Sequence, residues 1–218
     1  MPAAPAPLEA APSVATAADF AAAAGAGPAQ MADLEAYLAR LTEANQVMNL
    51  VGPSTLDIFW SRHAWDSAQL LDLAPDALTW ADLGAGAGLP GVVLAILLKG
   101  RAGAQVHLVD SMTKRCRFLE EVVRALDLPA VVHNARAEDL DIKVDVVTAR
   151  ACAPLPKLLG FARPYLARGA RGLFLKGQDV EAEIAEAARF GAKGLRLAPS
   201  RSDPRGRIVI VEPARHGR

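Results

Sequence analysis

The sequence predicts an α/β fold: a seven-stranded, mostly parallel sheet with an antiparallel last strand, preceded by an N-terminal helical cap. Three observations carry this. The run Thr79–Gly91 (TWADLGAGAGLPG) joins a short apolar strand to an apolar helix through alternate glycines. From Thr79 onward, short apolar runs alternate with helical patterns, as crossover units require. The last two apolar runs are separated only by Ser200–Gly206, too short for a crossover helix, so they pair antiparallel.

The chain has 218 residues and 52% hydrophobic content, enough for one domain with a real core and a small appendage. Its formal net charge is zero, so no global field draws it to nucleic acid. The charge is uneven, however. Arg189–Arg218 holds eight basic residues against two acids, which allows a local basic face. Cys116 and Cys152 have no CxxC spacing, which argues against a disulfide or a metal site and for a reducing, cytoplasmic setting. No apolar run is long enough to span a membrane, and no basic segment leads an apolar one at the N-terminus. Nothing demands more than a monomer.

Residues 1–28 are Ala/Pro-rich and are expected to form a mobile extension, with at most a helical turn around Val14–Ala24. The cap spans residues 29–75. In it Met31, Leu34, Tyr37, Leu38 and Leu41 recur at helical spacing, and Asn49–Pro53 stops that helix. Ser54 or Thr55 is expected to cap a second helix that buries Ile58, Phe59, Ala64, Leu70 and Leu71. On it Arg62, His63, Asp66 and Ser67 share one polar stripe.

The main domain, residues 76–218, is expected to place strands at Thr79–Leu83, Gln105–Val109, Ala130–His133, Asp145–Thr148, Gly172–Leu175, Gly194–Ala198 and Arg207–Val211. Helices follow at Met112–Leu126, capped by Ser111, at Pro154–Leu166 and at Val180–Ala188.

In an open parallel sheet, ligands sit beyond the carboxyl ends of the strands, where the strand order reverses. The first strand delivers Asp82 and the glycines Gly84, Gly86 and Gly88, whose helix start offers unpaired N–H groups to a polar ligand. The second ends on Asp110, placed to accept ribose hydroxyls. Ala137 and Glu138 follow the third and frame an adenine edge. The fourth runs into Arg150, a permanent charge in apolar surroundings that needs a partner. The fifth ends on Lys176. Two frames fit the loop. Gly86, Gly88 and Gly91 match a dinucleotide fingerprint that starts two residues late, which would suit a nicotinamide-dependent oxidoreductase with Asp110 on the ribose. The frame Asp-x-Gly-x-Gly-x-Gly, anchored at the strand end, instead resembles motif I of the S-adenosylmethionine-dependent methyltransferases, whose ligand has a zwitterionic tail and no pyrophosphate.

The stretches DLGAGAGLPGVVLAI, VDSMTKRCRFLEEV, ARAEDL and TARACAPLPKLL, preceded by NLVGPSTLDIFWSRHAWDSAQLLDL, narrow the choice. Together they resemble the bacterial 16S ribosomal RNA guanine-N7 methyltransferases, the glucose-inhibited division protein B family, from about Leu34 to Val211. The resemblance implies a Rossmann-like domain and S-adenosylmethionine as cofactor. Its contacts would lie at Gly84, Leu89, Ala137, Glu138 and Arg150, with Asp82, Gly86, Gly88 and Asp110 completing the site. It also implies a guanine of the 530 loop of the small subunit as substrate, and altered streptomycin sensitivity on loss. Arg62, His63, Asp66 and Ser67 would line the RNA-side mouth. Lys114, Arg115, Arg117, Lys176, Arg205 and Arg207 would meet RNA. The chain departs from the family pattern at Ala44, where a tryptophan is common, and at Cys152, where a valine is usual. Guanine N7 carries a lone pair and no proton, so no general base is expected. A methyltransferase for another substrate shares the fold and is separated only by the stretches outside motif I.

Overall fold

A computed structural model describes residues 14–189 and 194–213. The sheet contains β1 (Thr79–Leu83), β2 (Gln105–Asp110), β3 (Ala130–Asn134), β4 (Val146–Arg150), β5 (Arg171–Lys176), β6 (Leu195–Pro199) and β7 (Arg207–Val211). Their spatial order is β3-β2-β1-β4-β5-β7-β6. β1 through β5 pair in parallel, and β7 runs antiparallel to both β5 and β6. The expected antiparallel finish is therefore present, with β7 inserted between β5 and its own hairpin partner. The chain builds outward from β1 to β3 and then returns to lay β4 on the other side of β1. The glycine loop and Arg150 thus meet at the reversal of strand order, where such folds bind ligands.

Period-two alternation sends β1 side chains to opposite faces. Trp80, with Val106, Leu108, Val146 and Leu173, packs toward the cap and toward α5 (Gly91–Leu98) and α6 (Thr113–Ala125). Ala81 and Leu83, with Val147, Phe174 and Val209, face α7 (Leu155–Ala167) and α8 (Val180–Arg189). No helix among the described residues is long and apolar enough to cross a membrane.

The cap departs from expectation in three places. First, α1 (Ala17–Ala24) lies inside the supposed extension. Thr16 and Asp19 form a capping box, and Gly25 ends the helix in the left-handed conformation. Phe20 is completely buried, with its ring 5.6 Å from that of Trp60. One aromatic residue anchors a segment whose alanines alone would not. Residues 1–13 lie outside the described chain, as do Arg215 and Arg218 of the basic tail.

Second, α2 (Pro28–Met48) buries Leu34, Tyr37 and Leu41 as its periodicity requires, but the second cap helix is not regular. After a 3₁₀ turn at Pro53–Thr55, residues Trp60–Trp65 are π-helical. They run into two short pieces, α3 (Asp66–Ala68) and α4 (Leu70–Leu73). The wider turn breaks the expected apolar stripe, and Ile58 is half exposed. Third, Ser111 does not cap α6. Met112 occupies the cap position, where no side chain caps the helix, and Asp110 Oδ1 accepts from the Met112 N–H at 2.8 Å.

Candidate active site

The glycine loop is shaped by contacts that leave no room for side chains. Gly84 has φ +67°, and a Cβ there would lie 2.5 Å from Cys152 Sγ, so the loop after β1 presses directly on the loop after β4. At Gly91 a Cβ would meet Asp82 Oδ2 at 2.7 Å and a Leu108 methyl at 2.3 Å. That closeness lets the Gly91 N–H, at the start of α5, donate to Asp82 Oδ2 at 2.8 Å. Asp82 is fully buried, and its Oδ1 has no partner among the described residues. Burial pushes its pKa up to about 7, against the pull of the Gly91 bond and of Arg150. Asp82 therefore stands behind the loop rather than on its open side.

Asp110 ties the loop to β2. Its Oδ2 accepts from the Gly86 N–H at 3.0 Å and lies 3.5 Å from Arg115 Nη1. Beside it, a cavity of about 290 Å³ is lined by Gly84, Asp110, Ala137, Cys152, Lys157 and Phe161. Ala137 opens a short 3₁₀ turn, Ala137–Asp139, held by the Tyr165 hydroxyl, which donates to the Ala137 carbonyl at 3.0 Å. Glu138 lies 3.8 Å from Arg136 and is partly exposed.

A second cavity of about 360 Å³ lies over the glycine loop and under the cap, lined by His63, Arg62, Gly86, Leu89, Arg115 and Arg150. A third, of about 180 Å³, continues past Arg150 and is bounded by Asp66, Lys176, Ser200, Asp203 and Arg207. Ala151 lines all three and has φ +52°, strained for a residue with a Cβ. The three form one cleft along the carboxyl edge of the sheet, with Arg150 at the passage between the last two.

Several cap residues build this cleft. Tyr37 is buried and donates its hydroxyl to the Ala87 carbonyl at 2.8 Å, fixing the loop from above. The Thr55 hydroxyl donates to the Gly52 carbonyl at 2.7 Å, so it accepts at 2.8 Å from His63 Nε2, which must carry the proton. His63 Nδ1 is then a buried acceptor without a partner among the described residues. Burial, reinforced by Arg150 and Arg62, lowers the His63 pKa to about 3, so the ring is neutral near neutrality.

The polar stripe expected in this segment divides. Arg62 is half exposed and pairs with Asp203 at 3.2 Å. Asp66 is buried, 3.4 Å from Arg150 Nη1, which also donates to the Arg62 carbonyl at 3.0 Å. Ser67 is fully buried, and its hydroxyl bonds the His63 carbonyl within the helix; it lines none of these cavities.

Sequence reading missed Gln69, which is 2% exposed. Its side-chain amide donates to the Asp66 carbonyl and to Ser200, and its Oε1 accepts from the Arg201 N–H at 2.8 Å. Ser202 Oγ donates to Asp66 Oδ1 at 2.6 Å, and the Arg201 guanidinium stacks 5.0 Å over Trp65. The turn between β6 and β7 is thereby fastened to the cap.

The expected RNA contacts also divide. Lys114 and Arg117 are exposed on α6, and Arg205 is exposed on the β6–β7 turn. Arg115 is spent beside Asp110. Lys176 is largely buried, paired with Glu183 at 2.6 Å and bonded to the Ala153 carbonyl. Arg207 donates to the carbonyls of Pro204 and Gly206 within its own turn.

The family model described as rRNA small subunit methyltransferase G matches residues 30–193. A protein of Caulobacter vibrioides named ribosomal RNA small subunit methyltransferase G is 67% identical, over 90% of this chain and 91% of its own length. A protein of the same name from a Bradyrhizobium species is 50% identical over 82% of each chain. Among solved structures, a SAM-dependent methyltransferase from Aquifex aeolicus superposes with TM-score 0.51 at 16% identity, covering 69% of this chain and 91% of that one, a likeness of fold. A match that runs from α2 through α8, together with relatives at such identity over nearly their whole length, places this chain in the rRNA small subunit methyltransferase G family.

Proposed function

We propose that this protein, as a monomer, transfers a methyl group from S-adenosylmethionine to N7 of a guanine in small-subunit ribosomal RNA, within the 530 loop. One observation carries the reading: the glycine-loop cavity opens past Arg150 and Ala151 into a second polar compartment roofed by the cap. Two reactants fit there side by side. Membership of the family sets aside a nicotinamide-dependent oxidoreductase, whose fingerprint would start two residues late.

The residues present suit the cofactor. Gly84, Gly86 and Leu89 line the cavity over the loop, while Gly88 is turned against Val92 and Leu119 and lines none of the three compartments. Asp110 has lone pairs beyond those taken by Gly86 and Met112, enough to accept ribose hydroxyls. Ala137 lines the cavity beside Asp110, Glu138 lies next to it in sequence but lines none of the three compartments, and Arg150 stands at the passage beyond the loop. Asp82 acts through Gly91 by fixing the start of α5. When bound, the cofactor supplies an electrophilic methyl group on a sulfonium.

The chain's own residues then have to align and to exclude water. N7 needs no base, and His63, its pKa lowered to about 3, is a poor proton acceptor beside it. A neutral His63 also places no extra positive charge beside a purine that becomes cationic. Arg62 and His63 form the cap side of the entrance, so Arg62→Ala and His63→Ala should slow turnover on RNA while S-adenosylmethionine binding persists.

The test is incubation with radiolabelled S-adenosylmethionine and 30S subunits lacking the modification, followed by digestion. Label in a single 7-methylguanosine of the 530 loop is expected. Label in another nucleoside, or none despite measurable cofactor binding, refutes the substrate.

A further inference from the structure

Asp66 presents an unusual acceptor in the third compartment. The residue is 5% exposed, yet its two oxygens are treated differently. Oδ1 receives the Ser202 hydroxyl at 2.6 Å and the Gln69 amide at 3.2 Å. Oδ2 has only Arg150 Nη1 at 3.4 Å, longer than the roughly 2.7–2.9 Å of a good charge-assisted bond. A nearly buried carboxylate oxygen without a close donor is costly unless a ligand supplies one. Ser202 and Gln69 fix the carboxylate from behind, so its orientation does not depend on that ligand.

Arg150 stands between Asp66 and the glycine-loop cavity, and its contacts among the described residues occupy only Nη1 of a five-donor guanidinium. Going from the glycine loop into the third compartment, the protein thus offers donors first and an anionic acceptor second. Guanine presents the complementary series from N7 toward its pairing edge: O6 accepts and N1–H donates. Adenine reverses both, with an amino group at position 6 and a bare N1.

We propose that Asp66 is the base-reading residue of this site: its Oδ2 accepts from N1–H of the target guanine while Arg150 donates to O6. This rests on the methyl-transfer reading above. The contact also strengthens during reaction. Methylation at N7 puts positive charge on the purine and makes N1–H a better donor, so Asp66 binds the transition state more tightly than the ground state.

The experiment uses 30S subunits reconstituted with guanosine, inosine or adenosine at the methylated position, in single-turnover assays at saturating S-adenosylmethionine. Inosine keeps N1–H, O6 and N7. Wild type should methylate guanosine and inosine within about threefold of each other and adenosine at least about a thousandfold more slowly. Asp66→Asn should slow guanosine and inosine alike by about 30-fold. It should also shrink the penalty on adenosine at least about tenfold, because an amide can donate to a bare N1. Calorimetric S-adenosylmethionine affinity should stay within about threefold.

Equal slowing on all three bases would mark Asp66 as a merely structural group and overturn the proposal. So would unchanged rates, or a wild type that rejects inosine, since the 2-amino group would then be what is read. If Asp66→Asn does not fold, Ser202→Ala carries the test by releasing Oδ1. A loss of about threefold with weakened rejection of adenosine supports the proposal, and rejection kept intact overturns it. A wild type that labels no guanosine refutes the methyl-transfer reading itself, a result distinct from a labelled wild type with unaltered base preference.

Discussion

Asp82 makes the pH dependence of this protein's stability predictable. In the unfolded chain the carboxyl titrates at its ordinary value of 3.8, and in the fold at about 7, because no water reaches it and one oxygen has no donor. Between those values the native state holds a proton that the unfolded state does not. The stability this contributes is fully present below pH 3.8 and is gone once the pH passes about 7. At about 1.4 kcal/mol per unit, the whole window amounts to roughly 4 kcal/mol, of which roughly 2.5 falls between about pH 5 and about pH 8. Asp82→Asn keeps the bond from Gly91 and abolishes the titration. Urea unfolding of both proteins across that range isolates the effect, since other groups cancel in the difference. Wild type should lose roughly 2.5 kcal/mol relative to the variant on going from the acid to the alkaline end. A difference that stays flat to within about 0.5 kcal/mol would show that Asp82 remains ionised, and the argument from its burial would be wrong.

Other perturbations test separate parts of the structure. Phe20→Ala should cost about 3 kcal/mol, read as a fall in the urea midpoint, and loosen the packing of Trp60 seen in its fluorescence. Gly84→Ala should destabilise by at least about 2 kcal/mol, and Cys152→Ala in the same chain should recover only part of that in calorimetric melting, because the clash is relieved but positive φ is not. Asp110→Asn should weaken S-adenosylmethionine binding about tenfold or more by titration calorimetry, through weaker acceptance from ribose and from the Gly86 amide. Lys114→Ala and Arg117→Ala should each lower the slope of log affinity for RNA against log salt by about 0.7–0.9, leaving cofactor affinity unchanged.

The parts of the fold that were legible in the sequence are those specified by neighbours along the chain. The strands announce themselves as apolar runs, and Gly84, Pro90 and Gly91 mark the loop because backbone geometry there admits few residues. Asp110 and Arg150 were readable from their places at strand ends. What escaped was fixed by distant partners. Phe20 earns its order from Trp60, forty residues away, which no count of alanines reveals. Gln69 and Ser202 matter only because the β6–β7 turn folds back over the cap, joining residues 133 positions apart. Lys176 reads from its strand end as a cation free to meet RNA, and only the fold brings Glu183 against it. Ser111 is not the cap because α6 starts one residue later, with Met112 at the cap position.

The insertion of β7 between β5 and β6 has a consequence for synthesis. Chains emerge from the N-terminus, so the cap, the glycine loop and the first five strands are all exposed before Arg207–Val211 exists. Until then β5 has an open edge, and the turn that anchors Asp66 and Gln69 has no hairpin to hold it. A chain interrupted within β7 would carry the complete glycine loop, yet its cap would lack the bonds from the β6–β7 turn and its sheet would offer a sticky border. The β6–β7 hairpin thus covers the edge of β5 and fastens the cap to the sheet in one step.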